Sequence, residues 1–96
     1  MTYRFLSPAH QELGQALEYY ERAVPGLGLE FLDEVERTVR RILLQPEAWT
    51  RLSETHRRCR MRRFPYGVIY SVDGDVVLVV AVFHLNRHPD SWKDRT

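Results

Sequence analysis

The sequence predicts an α+β fold: an N-terminal strand, an antiparallel helical hairpin, then a three-stranded antiparallel meander. Two stretches of helical periodicity come first, separated by the Pro25-Gly26-Leu27-Gly28 break. Three β-type runs follow with no helix between them. Asp73-Gly74, a favoured two-residue hairpin turn, joins the last two. Helices followed by strands indicate α+β rather than a doubly wound sheet.

Tyr3 to Leu6 reads as a short opening strand. Ser7-Pro8 then starts a helix, with Ser7 expected as N-cap and Pro8 at the first helical position. Ala9, Leu13, Ala16, Leu17 and Tyr20 form its apolar face. A second helix is expected from about Leu29 to Leu44, with Leu32, Val35, Val39, Ile42 and Leu43 buried and Gln45-Pro46 ending it. The short link makes the two helices antiparallel. Residues 46–56 read as loop. Arg58 to Arg62 alternates, with Cys59 and Met61 on one face and Arg58, Arg60 and Arg62 on the other, the pattern of a half-buried strand. Pro65 interrupts it, Tyr66 to Val72 resumes it, and Asp75 to Phe83 is apolar on both faces, as an interior strand is.

Ninety-six residues, 44% hydrophobic and 28% charged, suit one ordinary domain. The apolar run Val76 to Phe83 is too short to span a bilayer. The first residues lack the layout of a secretion signal, and Cys59 is alone, so a cytoplasmic location is expected. The net charge of +1 hides an asymmetry: residues 1–56 sum to −3 and residues 57–96 to +4. Thirteen of the fourteen basic residues are arginine, whose planar fork suits phosphate and carboxylate.

Paired-cysteine, HExxH, GxSxG and phosphate-loop motifs are absent, and no metal or cofactor is expected. Arg57, Arg58, Arg60, Arg62 and Arg63 fall within seven residues with no acid among them. Such a row either meets phosphates or an acidic protein segment, or guards a solvated edge strand by charge. In Phe64-Pro65-Tyr66 the proline forces a bend, Phe64 belongs in the core, and Tyr66 either presents its hydroxyl to a ligand or packs in the core. In the tail, His84 is either an acid–base group or a hydrogen-bonded strand end. Trp92 anchors the tail, and Arg87 is the best candidate for an exposed functional cation.

Ser7-Pro8-Ala9, Tyr19-Tyr20, Pro25-Gly26-Leu27-Gly28, Phe31-Leu32, Pro46, the arginine strand, Phe64-Pro65-Tyr66, Tyr70, His84, Arg87, Pro89, Trp92 and Arg95 occur in order. Together they resemble a ParE/RelE-superfamily toxin of a type II toxin–antitoxin module, closest to the ParE-like plasmid-stabilisation branch. The resemblance covers essentially the whole chain. It implies a growth-inhibiting toxin neutralised by a cognate antitoxin, with Arg58, Arg60, Arg62, Arg63, Tyr66, Arg87, Trp92 and Arg95 as binding residues. It implies one of two targets, DNA gyrase for ParE-like members or mRNA on the ribosome for RelE-like ones. An mRNA endonuclease would use His84 or His88 as acid or base, with Arg60, Arg62 and Arg87 as clamps. RelE-like nucleases carry lysines and a C-terminal tyrosine, where this tail has Trp92, so the non-enzymatic gyrase reading is preferred. A module that binds antitoxin without toxicity is the third reading. Sequence leaves the oligomeric state open.

Overall fold

A computed structural model describes residues 1–87 and 90–95. Its elements are β1 (Thr2–Phe5), α1 (Ser7–Ala23), α2 (Leu27–Leu44), β2 (Thr50–Arg51), β3 (Arg57–Arg60), β4 (Tyr66–Asp73) and β5 (Val76–His84). The sheet runs β1-β5-β4-β3-β2. β1 lies parallel to β5, and every other neighbour is antiparallel. Among the described residues no helix is long and apolar enough to cross a membrane.

Both helices cover one face of the sheet. α2 contributes Phe31, Val35, Val39 and Ile42 to a core completed by Cys59, Val68, Tyr70, Val77 and Val79. α1 buries Ala9 and Ala16 and packs Leu13, Leu17 and Tyr20 against the same core. The closest approach is at Gly28, where a Cβ would stand 2.8 Å from the Leu17 carbonyl oxygen of α1. The Glu21 carboxylate uses that approach. It accepts the N–H groups of Gly26 at 3.0 Å and Gly28 at 3.1 Å, satisfying donors that the start of α2 leaves free.

The opposite face has its own cluster of Ile69, Val80, Ala81 and Phe83, closed by Trp92 from the C-terminal tail and by Leu6, Leu52 and Leu85. The tail therefore replaces a helical layer on that side.

Several expectations need correction. Ser7 lies inside α1, whose N-cap position is held by Leu6 with no side-chain cap. Pro8 alone sets that start, through its fixed φ. α2 begins two residues earlier than expected, because Glu21 supplies its cap from a neighbouring helix. The arginine strand is Arg57–Arg60 rather than Arg58 to Arg62, since the chain turns at Met61 to reach Phe64. Residues 46–56 hold a two-residue edge strand, β2, that local pattern is too short to reveal.

Trp92 rests against the buried His56 ring, with centroids 4.8 Å apart. Burial pushes the His56 pKa below 6.5, so the fold prefers the neutral ring. The unfolded chain takes up a proton near pH 6.5, while the folded chain does so only at lower pH. This contribution to stability is complete above pH 6.5 and is lost as pH falls towards the folded value. Urea unfolding at pH 7.5 and 5.5 should show a smaller acid loss in His56→Gln than in the parent.

Candidate protein-binding cleft

β1 stops at Phe5, opposite Val79, yet β5 continues to His84. That half of β5 has an edge with no strand beside it. The chain turns back as α1, leaving a cleft of about 700 Å³ lined by Glu12, Gln15, Tyr19, Tyr20, Tyr66, His84 and Arg87 among others.

Two side chains complete the start of the bare edge. The register slips between Ile69 and Tyr70, which oppose Ala81 and Val79, so Val80 is bulged. Glu12 Oε1 accepts the Val82 N–H at 3.1 Å, and Arg95 donates to the Val80 carbonyl at 3.0 Å. Arg95 and Glu12 also form a two-pronged ion pair at 2.8 and 3.0 Å, with side chains only 17% and 15% exposed. The carboxylate holds the Arg95 pKa above its usual value.

The Phe-Pro-Tyr corner forms the opposite wall. Glu34, 4% exposed on α2, accepts the backbone N–H groups of Arg62 at 2.9 Å and Arg63 at 2.8 Å on one oxygen, Oε2. The Met61 N–H donates to the Tyr66 carbonyl and the Tyr66 N–H to the Phe64 carbonyl, which tightens the bend. Phe64 is buried between Tyr20 and Phe31, at ring distances of 4.8 and 5.1 Å. The Tyr66 ring stands edge-on to Phe31 and to His84, at 5.1 and 5.2 Å. Burial raises the Tyr66 pKa, and the Arg87 charge opposes that rise, so the guanidinium acts on this hydroxyl.

A family model described as ParE toxin of type II toxin-antitoxin system, parDE, matches residues 3–89. The chain belongs to the ParE toxin family. No curated protein matches it. Its fold is similar to a solved chain described as a chromosomal ParDE TA system from P. aeruginosa. The TM-score is 0.74 at 19% identity, covering 88% of this chain and 95% of that one. The anticipated resemblance and the α+β architecture are thus both established.

The binding residues expected for a ParE-family chain do not share one surface. Arg58 lies across the sheet from Cys59, its stem within 3.3 Å of where a Gly67 Cβ would sit. Its Nε is buried without a hydrogen-bond partner. Arg60 is exposed, and its carbonyl accepts from Arg41. Arg62 is exposed and lies beyond the end of β3. Arg63 pairs with Glu30 at 2.6 Å and leans over Phe64. The row therefore has acidic neighbours after all, supplied by α2 rather than by the strand. Trp92 is 5% exposed and Arg95 is committed to Glu12, so both serve the fold. Arg87, Tyr66 and His84 do come together, in the cleft. His88 lies outside the described residues.

Sequence reasoning missed Glu12 and Glu34. A signal existed for each. Glu12 sits in the Ala9–Ala16 stripe of α1, and Glu34 beside Phe31, Val35 and Thr38 on α2. An acid on the buried stripe of a helix needs a donor from elsewhere in the chain.

Proposed function

We propose that this chain is the growth-inhibiting toxin of its module and is neutralised by a cognate antitoxin lying in the α1–β5 cleft. In this reading the antitoxin presents acidic side chains to Arg87 and to the exposed Arg60 and Arg62. The supporting observation is the cleft itself: an exposed guanidinium with no ion pair among the described residues, beside Tyr19, Tyr20 and Tyr66. Arginine and tyrosine around a concave surface are the residue types that dominate protein interfaces.

DNA gyrase is the proposed target, on the family resemblance, since inhibition by contact requires a surface rather than a catalytic constellation. Ribosome-dependent mRNA cleavage is the second reading, supported by the convergence of His84, Arg87 and Tyr66.

Inducing the chain alone should arrest growth, and co-expressing the small protein encoded beside it should restore growth. Unchanged growth on induction would remove the toxin reading. Purified protein should block supercoiling by gyrase and leave ribosome-bound mRNA intact; the reverse outcome selects the nuclease. Arg87→Ala should weaken antitoxin binding by about 10- to 30-fold, as loss of a central interface arginine does, measurable by calorimetry.

A further inference from the structure

His84 ends β5, and three backbone N–H groups are settled around it. Leu85 donates to the Pro65 carbonyl at 2.9 Å, and Arg87 donates to the His84 carbonyl at 3.0 Å, closing a turn. The middle donor, the Asn86 N–H, goes to the imidazole: it meets His84 Nδ1 at 3.1 Å. A nitrogen that accepts an N–H carries no proton, so the neutral ring has its hydrogen on Nε2. The side chain thus does what an Asn or Asp does in an Asx turn, accepting from the backbone two residues on.

This matters because Arg87 has little else to place it. It is exposed and has no ion pair among the described residues, yet its charge acts on the Tyr66 hydroxyl. We propose that His84 is a positioning residue, whose imidazole fixes the turn at residues 84–87 and thereby holds Arg87 against Tyr66 in the cleft. The proposal rests on the cleft being the binding surface. It gives His84 the role of acceptor to its own backbone and leaves Nε2–H as the ring's one donor. A general base acting through Nδ1 would have to surrender the Asn86 bond.

The test compares His84→Ala with His84→Asn, with Arg87→Gln as reference. Both His84 variants lack the ring, so its packing against Tyr66 is lost equally; only asparagine restores an acceptor for the Asn86 N–H. The partner-free readout is titration of the Tyr66 hydroxyl, followed by carbon NMR of labelled tyrosine. His84→Ala should raise the Tyr66 pKa by most of the rise seen in Arg87→Gln, and should add nothing when combined with it. His84→Asn should stay near the parent value. Equal titrations for His84→Ala and His84→Asn would overturn the proposal.

Growth arrest is the second readout: it should be lost in His84→Ala and kept in His84→Asn. Loss in both, with the Tyr66 titration rescued by asparagine, would uphold the positioning role and add a direct role of the imidazole in growth arrest. Should Arg87→Gln leave antitoxin binding and growth arrest unchanged, the cleft reading falls, while the Tyr66 titration still decides the role of His84.

Discussion

Glu34→Ala should cost this protein about 2–4 kcal/mol, because it orphans two backbone donors at once. Oε2 of this buried carboxylate is the acceptor for both the Arg62 and the Arg63 N–H. Those bonds join α2 to the point where the chain leaves β3 and bends into Phe64-Pro65-Tyr66. Alanine removes the acceptor and leaves a void beside Phe31 and Val35. In a domain of this size the expected fall in melting temperature is about 10–20 °C. Glu34→Gln separates charge from geometry. An amide oxygen has two lone pairs and can serve both donors, so glutamine should recover most of the loss. Thermal unfolding of both variants checks this, and equal losses would show that the carboxylate charge carries the effect. The neighbouring Arg63–Glu30 pair offers a contrast. Both side chains are about half exposed, so Glu30→Ala should change stability by about 1 kcal/mol or less.

The elements governed by local rules were legible in the sequence. Apolar spacing gave both helices, and Asp73-Gly74 gave the β4–β5 hairpin, with Gly74 at a φ of 63°. The buried side of this stretch was legible too, since Cys59 on β3 and Met61 just after it are both in the core. What escaped depends on neighbours distant in the chain. The parallel placement of β1 beside β5 joins residues more than seventy positions apart, and nothing in Thr2–Phe5 encodes it. Alternation assigned Arg62 to the face of Arg58 and Arg60, but alternation holds only while the strand lasts. At Arg62 and Arg63 the strand has ended, and both backbone N–H groups go to Glu34 rather than to a neighbouring strand. Arg95 was expected as a binding residue only through the family resemblance. Its partner sits eighty-three residues earlier, on the inner stripe of α1. At the cleft, Tyr66, His84 and Arg87 were each visible as candidates. Their convergence was not, because it depends on the corner and the end of β5 meeting across the β4–β5 pair.

The Glu12–Arg95 pair should show an asymmetry that distinguishes its two members. Glu12 serves three donors: both prongs of the guanidinium and the Val82 N–H. Glu12→Ala therefore strands a largely buried guanidinium and an edge N–H of β5 together. A cost of about 3–5 kcal/mol is expected, the range for breaking a buried pair from one side. Arg95→Ala leaves Glu12 with the Val82 N–H and with access to water through the cleft it lines. The cost there should be nearer 2 kcal/mol, mostly for the unpaired Val80 carbonyl and the loosened tail. The double variant removes both charges and should cost less than the two single losses added together. Urea unfolding of the three variants measures this directly. If Arg95→Ala proved the more damaging, the pair would matter mainly for anchoring Trp92 over Ile69, Val80 and Phe83, and the bare edge of β5 would tolerate a missing acceptor. The order Glu12 over Arg95 is expected because strand edges facing a cleft need their N–H groups met. β1 meets that need as far as Val79, and beyond the bulge at Val80 the sheet relies on a side chain from α1.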